Sequence, residues 1–505
     1  MNDGLTAADR EKLVGQLSRF PKLEKVVLFG SRAMGTYSPA SDIDLALYGD
    51  GLTLQDVARL ASEIEECDLP VEVDLIRYDT ITSEPLKEHI ARHGKVFWGK
   101  CAWRQTKWGD EISLEYGKGI RGYNAAVGPV RVFGTNGPVG WTSDPLAPGP
   151  GVILGRKGAY RGVHYSPNPF FVIDTAYYVV PKTDLDMRWL YYAIIFHKLG
   201  EIDDGSPIPS TTRSAVYVRD LEVPPKEEQQ AIASILGALD DTIDHNRRMN
   251  ETLESLARAL FKDWFVDFGP TRAKAEGRAP YLAPDLWSLF PACLDGEGKP
   301  EGWVLSTIGN EVGVVGGSTP STKEAAFWDG DISWATPKDL SALRAPVLLE
   351  TSRKITQAGL DGISSALLPV GTVLLSSRAP IGYLVITDIP VAINQGFIAM
   401  RCDKKLSNVH IWLWTGASME VILQKANGST FQEISKSSFR PIPIIVPSAP
   451  IRAAFDKLVC PLHEKIVANE RESRALVNAR DFLLPKLLSG EIRIRDAEKA
   501  SGGML

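Results

Sequence analysis

The chain contains itself twice over much of its length. DDGSPIPSTTRSAVYVRDLEVPPKEEQQAIASIL from Asp203 aligns with ANGSTFQEISKSSFRPIPIIVPSAPIRAAFDKL from Ala426. Gly205 and Ser206 fall on Gly428 and Ser429, and Pro224 falls on Pro447, all at one offset of 223. Upstream, VILGRKGAYRGV from Val152 resembles VLLSSRAPIGYL from Val373, with a basic residue shortly before a glycine in each. Internal self-similarity of this kind means that one structural plan is used twice. By itself it fixes architecture and no activity, because duplicated domains serve many purposes.

Each copy closes on a long helical pattern. In residues 226–267 the seam positions Ile232, Leu236, Leu239, Ile243, Asn246, Asn250, Leu253, Ala257, Leu260 and Trp264 alternate steps of four and three. That is the heptad spacing of a helix lying along a partner helix, with Asn246 and Asn250 as register-setting polar positions. In residues 450–488 the seam runs Ile451, Phe455, Leu458, Leu462, Ile466, Asn469, Ser473, Leu476, Arg480 and Leu483. It slips once after Leu462, and Pro461 predicts a kink or break there. The texture of the chain then predicts units at 1–102, 103–225 (strand-rich), 226–267 (helix), 268–302 (connecting loop), 303–448 (strand-rich), 449–490 (helix) and 491–505 (tail).

A chain of 505 residues exceeds one hydrophobic core and calls for three or more domains. Its 44% hydrophobic and 23% charged residues are those of an ordinary folded protein. The net charge of −6 is uneven: residues 1–103 hold 12 Lys/Arg against 17 Asp/Glu, leaving 44 against 45 for the rest. No part is a broadly basic coat, so nucleic-acid binding here requires local basic patches. Cys67, Cys101, Cys293, Cys402 and Cys460 form no CxxC or CxxxC pair, which argues against disulfide frameworks and zinc sites and fits a reducing compartment. MNDGLTAADREKL has no apolar signal core and no apolar run is long enough to span a bilayer, so a cytoplasmic location is expected.

Four-fifths of the chain resembles the specificity (S) subunit of type I restriction-modification systems. The resemblance is carried by TKWGDEISLEYGKGI and EGWVLSTIGNEVGVVGGSTPSTKEAAFWDGDISWATPKDL, by LEVPPKEEQQAIASIL and IPIIVPSAPIRAAF at the domain exits, and by LARALFKDWFVDF and NARDFLLPKLLSGEI at the helix ends. It implies two α+β target-recognition domains, each with a long helix, the two helices pairing as an antiparallel coiled coil. Each domain would read half of a split asymmetric site in double-stranded DNA. At 1.5 Å per residue a helix of about 40 residues reaches about 60 Å, more than one turn of DNA. The implied partners are two methyltransferase (M) subunits, which bring S-adenosylmethionine, and a restriction (R) subunit. The sequence agrees in lacking their motifs: Asn168-Pro169-Phe170-Phe171 has no second proline for a [DNS]PP[FYW] pocket, and GxxxxGK[ST] is absent. DNA contacts are expected from the basic turns Arg156, Lys157, Arg161 and Arg378 and from the polar loops Ser210, Thr211, Thr212, Arg213 and Gly317, Ser318, Thr319, Lys323, Lys338. A solvated loop charge or a hydrogen-bonded turn is an equal alternative at each.

The first hundred residues read differently. KVVLFGS, SDIDLALY, LTLQDVARLASEIEEC and VEVDLIRY alternate strand and helix, an α/β pattern. Gly30-Ser31 stands where a strand turns into a helix, a place whose backbone amides can cradle phosphate. Asp42 and Asp44 alternate on one strand and share a face, and Asp74 adds a carboxylate from another. Three carboxylates beside a phosphate cradle suit phosphoryl transfer with two Mg²⁺ ions. The stretch resembles nucleotidyltransferases of the DNA polymerase β superfamily, in particular the minimal ones found as antitoxins. Carried over residue by residue, Gly30 and Ser31 match the glycine-serine signature, Asp42 and Asp44 the metal pair, and Asp74 the third carboxylate. Arg32 reads either as a phosphate contact or as a surface residue at the helix start. His89 and His93, four apart, lack the Glu motif of a zinc site and read as surface residues. The resemblance implies AMP transfer, with a protein toxin as a candidate acceptor and partner. A binding scaffold and an enzyme are thus both expected, on segments separable at 100–105.

Overall fold

The computed structural model describes residues 4–492 except 21, 68, 100–102, 204–208, 364, 379 and 429–431. Gly205, Ser206 and Ser429 of the repeat, positions 100–102 of the junction and 493–505 of the tail lie outside the described residues. The chain forms two compact units, Met1–Ala238 with Ala479–Leu505, and Leu239–Asn478, so the division passes through both long helices.

At the front, α1 (Ala7–Leu17), α2 (Gly30–Met34), α3 (Leu54–Glu65) and α4 (Glu84–His93) surround a four-stranded sheet. Its strands β1 (Lys25–Leu28), β2 (Ile43–Tyr48), β3 (Val73–Arg77) and β4 (Lys95–Gly99) lie in the order β3-β2-β1-β4. β2 and β3 are parallel, and the other pairs are antiparallel. Because side chains alternate along a strand, Ile43, Leu45 and Leu47 join Leu13, Leu17, Leu60 and Ile64 in one core. On the opposite face Ala46 packs with Val27, Ile81 and Ile90 of α4. α3 starts at Thr53, whose hydroxyl accepts from the Asp56 amide while the Asp56 carboxylate accepts from the Thr53 amide.

The two repeats share one hydrogen-bonded lattice. The first has an antiparallel sheet ordered Val163–Ser166, Gly151–Gly155, Ala176–Pro181, Ile112–Tyr116. In the second the same order, from the other edge, is Gly313–Gly316, Phe397–Arg401, Val373–Ser376, Leu384–Thr387, with Val347–Leu348 added in parallel. Bonds outside the sheets also correspond. Trp108 N donates to Arg219 O at 3.0 Å and Ile308 N to Ile442 O at 2.9 Å. Arg156 N donates to Thr175 O at 3.0 Å and Ser377 N to Gly396 O at 2.8 Å. Glu111 and Glu311 are both buried behind the first strand. Glu111 accepts from Thr106 at 2.9 Å and Glu311 from Ser306 at 2.7 Å. Glu111 also accepts from Arg104, whose guanidinium holds the carboxyl down to about 2; Val304 stands in the corresponding place.

The first long helix runs Lys226–Phe261 and passes into a π-helical turn, Lys262–Val266. Every expected seam residue from Ile232 to Trp264 is buried or half-buried. The second, Ala449–Leu488, continues through Pro461 without the expected break. One lost amide donor is tolerated where Phe455, Val459 and Ile466 stay fully packed on either side. The slip lies at 458–459 rather than after Leu462: Leu458 is exposed and Val459 buried in its stead. Within the second unit, buried Asn469 donates to Asn250 Oδ1 at 2.8 Å, Asn250 donates to Glu470 at 2.8 Å, and Asn246 donates to Glu472 at 2.8 Å. Asn469→Leu should cost about 1–3 kcal/mol by leaving Asn250 Oδ1 without its buried donor. Adding Asn250→Leu should return most of that, as measured by urea unfolding of the single and double variants.

Candidate nucleotide and nucleic-acid sites

The front carboxylates meet at one end of the β2–β3 face. Asp44 and Asp74 are paired across the parallel register, and Asp42 lies two residues earlier on the same strand line. Asp44 is half-buried, while Asp42 and Asp74 are exposed. Burial raises the Asp44 carboxyl above its ordinary value, and the charges of Asp74 and Asp42 push it further, against His89 and Arg32. Gly30 opens α2 directly over this carboxylate. It has φ +72°, and a Cβ there would stand 2.0 Å from Asp44 Oδ2. Only glycine lets the turn approach so closely.

Among the described residues no three His, Cys, Asp or Glu side chains are gathered closely enough to hold a metal ion by themselves. The donor set nevertheless fits Mg²⁺, which keeps several waters and takes one or two carboxylates together with substrate phosphates. A cation at Asp42, Asp44 and Asp74 would also relieve the like-charge repulsion on Asp44. Arg32 occupies neither place considered from sequence. It is 2% exposed, so it is not a surface residue. Its Nε and Nη2 donate to Ser41 O at 3.0 and 2.7 Å, and Nε reaches Asp42 O at 3.2 Å. It therefore clamps the loop that delivers Asp42. His93 is exposed, but His89 is half-buried, with its ring 5.2 Å from that of His93.

In the first repeat the expected DNA residues divide. Thr211 is fully buried: its amide donates to Arg156 O at 2.9 Å and its hydroxyl faces Leu199 O at 3.3 Å, which makes it a packing residue and not a contact. Arg161 spends Nε on Gly200 O at 2.9 Å, Nη1 on Gly158 O at 2.7 Å and Nη2 on Ile202 O at 2.8 Å, so it ties loops together instead of reaching outward. Thr212 caps the short helix Arg213–Tyr217 by accepting from Ala215 N. Lys157 and Ser210 bridge two loops. Arg156 and Arg213 converge on the exposed ring of Tyr116, at 5.1 and 4.2 Å, with Tyr177 beside it. Arg213 also faces Glu115 at 3.5 Å.

In the second repeat Arg378 bridges to Glu433 in the place of Lys157 and Ser210, and its guanidinium lies 3.8 Å from the Glu433 carboxylate. Thr319 donates to Gln395 at 2.6 Å, and the Ser318 amide donates to Ile393 O at 3.0 Å. Lys323 and Lys338 are exposed. Sequence reasoning missed Tyr116, Tyr177 and Lys436. For Tyr116 the signal was a second alignment, WGDEISLEYGKG from Trp108 on IGNEVGVVGGST from Ile308, at an offset of 200, and for Lys436 it was its place opposite Arg213 at the offset of 223.

Residues 11–101 match the family described as Polymerase beta, Nucleotidyltransferase, and residues 121–255 and 300–457 match the Type I restriction modification DNA specificity domain. The chain is similar to the type I restriction enzyme HindI specificity subunit of Haemophilus influenzae, 28% identical over 376 residues, 64% of this chain and 81% of that one. It is also similar to the MjaIX specificity subunit of Methanocaldococcus jannaschii, 27% identical over 355 residues, 68% of this chain and 78% of that one. The solved S subunit of a type I restriction-modification system from M. genitalium shares the fold, with TM-score 0.52 at 16% identity over 77% of this chain and 96% of that one. Among the described residues no helix is long and apolar enough to cross a membrane. With the specificity domain matched in both repeats, over more than half its residues, the chain belongs to the type I restriction-modification DNA specificity family and carries a polymerase-β-type nucleotidyltransferase domain in front.

Proposed function

We propose that this specificity subunit reads a bipartite, asymmetric site in double-stranded DNA, one half with each repeat. The long helices pair as an antiparallel coiled coil that spaces the repeats and docks two methyltransferase subunits carrying S-adenosylmethionine, together with a restriction subunit. The observation that carries this reading is the duplicated lattice: the same backbone bonds recur at Arg156/Thr175 and Ser377/Gly396 while the side chains around them differ. One backbone with two side-chain sets suits two different half-sites. The asparagine bonds between 246–250 and 469–473 run in opposite chain directions and support the antiparallel pairing. Co-expressed with methyltransferase subunits, the chain should capture two of them and protect two DNA segments with an unprotected spacer. Failure to retain a methyltransferase subunit, or one uninterrupted footprint, would overturn the reading.

For the front domain we infer a Mg²⁺-dependent nucleotidyltransferase that transfers AMP from ATP to a protein or nucleic-acid hydroxyl, breaking the α–β phosphoanhydride bond and releasing pyrophosphate, a protein toxin being one candidate acceptor. The juxtaposition of Gly30, Asp44 and Asp74 supports it. When bound, the cation supplies Lewis-acid activation of the attacking hydroxyl and charge balance for the triphosphate. Asp42, Asp44 and Asp74 would hold it, Ser31 and the turn at Gly30 would orient phosphate, and Arg32 keeps Asp42 in place through the Ser41 carbonyl. Labelled ATP and Mg²⁺ should label an acceptor with the wild-type chain. Asp42→Ala and Asp44→Ala should lose the label, and equal labelling by these variants would refute the assignment.

A further inference from the structure

The two repeats permit a residue-by-residue comparison of equivalent surfaces, because the lattice bonds fix the correspondence. Through Arg156 N to Thr175 O and Ser377 N to Gly396 O, Arg156 corresponds to Ser377. Through Thr211 N to Arg156 O and Ile434 N to Ser377 O, Arg213 corresponds to Lys436 two residues on. Through the offset of 200 that pairs Glu111 with Glu311, Tyr116 corresponds to Gly316. The side-chain contacts agree: Arg213 lies over the ring of Tyr116, and Lys436 lies over Gly316, its Nζ 2.9 Å from where a Cβ would be. A lysine stem thus fills the space that the tyrosine takes in the first repeat.

What the repeats keep and what they change have different meanings. The phosphate backbone is the same at every half-site, so groups that bind it are free to persist through duplication. Base edges differ, so groups that read them must diverge. Cations persist at Lys157/Arg378 and at Arg213/Lys436. The pair Tyr116 with Arg156 is replaced by Gly316 with Ser377.

We propose that Arg156, held by Tyr116 and Tyr177, reads a guanine in the half-site of the first repeat, and that the second repeat reads its half-site without a counterpart of this residue. The proposal rests on the specificity-subunit reading given above. Arg156 lies 5.1 Å from the Tyr116 ring centre and 5.9 Å from that of Tyr177. Its Nη2 is tied to Asp174 O at 3.0 Å, and its Nε is enclosed with no hydrogen-bond partner among the described residues. Two tyrosine rings and one carbonyl hold the guanidinium before DNA arrives, so little side-chain freedom remains to be lost on binding. Guanine alone among the bases offers two major-groove acceptors, O6 and N7, matched to a guanidinium fork.

Selection of double-stranded DNA from a random pool by the full chain tests this. The wild-type chain should enrich a split motif with guanine in one half. Arg156→Ala, and Arg156→Gln as a variant that keeps the bulk of the stem, should reduce the preference for that guanine about 5- to 100-fold and leave the other half unchanged. Arg213→Ala and Lys436→Ala should instead weaken binding to all sequences and lower the salt slope by about one each. The proposal is overturned if the Arg156 variants leave the motif intact, if they weaken all sequences alike, or if the altered position is not guanine. A wild-type chain that enriches no motif would overturn the specificity reading itself and this proposal with it.

Discussion

Gly30→Ala is expected to lower nucleotidyl transfer by the front domain about a hundredfold or more while leaving DNA selection by the repeats unchanged. The added methyl group would sit 2.0 Å from Asp44 Oδ2, well inside contact distance, so either the turn or the carboxylate must move by more than an ångström. The residue also has φ +72°, where an L side chain costs about 1–2 kcal/mol. Displacing Asp44 uncouples it from Asp74, its neighbour in the strand register, and withdraws the turn from its place above the carboxylates. Labelled-ATP transfer gives the activity, and thermal melting reports whether the domain still folds. Undiminished transfer by a folded Gly30→Ala chain would mean that the carboxylates and the turn do not act together.

The second large effect concerns acid. His410 is buried among the rings of Phe261, Phe265 and Phe455, at 5.2, 5.0 and 5.7 Å. Burial pushes its imidazole down to about 3, and the nearby positive charge of Arg452 acts in the same direction. In the unfolded chain it titrates near about 6.5. Between these values the unfolded state binds a proton that the folded state refuses, so stability falls as pH drops through about 6.5 towards 3. The loss should reach about 2–3 kcal/mol by about pH 4.5. His463, pushed by burial to about 4 against the opposing charge of Asp388, adds to it in the same direction. Asp339 does not confound this window, since its hydrogen bonds hold its carboxyl below the ordinary value and its contribution persists to lower pH. Urea unfolding from pH 7 to 4.5 should show the decline, and His410→Leu should flatten it. The same slope in that variant would show that the histidine is not the cause.

Much of this architecture was legible because it depends on pattern. The offset of 223, the heptad steps of the first long helix and the alternation of Asp42 with Asp44 are periodicities, and periodicity survives translation into structure. The errors have one physical origin, which is that a polar side chain in a turn has two possible fates. Arg161 and Thr211 sit in loops rich in glycine or serine and Arg32 in a five-residue helix beside one, where composition alone suggests exposure. Each instead satisfies carbonyl groups that the loop would otherwise bury without partners. Arg156 in such a loop, and Arg213 at the start of a short helix beyond one, face tyrosines that the chain contributes from strands Ile112–Tyr116 and Ala176–Pro181. The difference between these arginines lies in long-range placement, which no local window contains. The absence of a break at Pro461 has a similar reason: helix-breaking is a local tendency, and the packing of Phe455 and Ile466 outweighs it.

A chain built from two copies of one plan runs a particular danger during assembly, since either helix has in principle two similar surfaces to choose from, including those of a second molecule. The asparagine layer discriminates among these choices. Asn250 is matched by Asn469 and Asn246 by Glu472, pairings between unlike helices that a helix meeting its own duplicate would not reproduce. Pairing of either helix with its own duplicate, or sliding by a turn, would bury amides opposite hydrocarbon at a cost of about 1–3 kcal/mol for each. The same few polar atoms that weaken the hydrophobic seam thereby act against the self-pairing of either long helix, and favour the joining of unlike helices in one register.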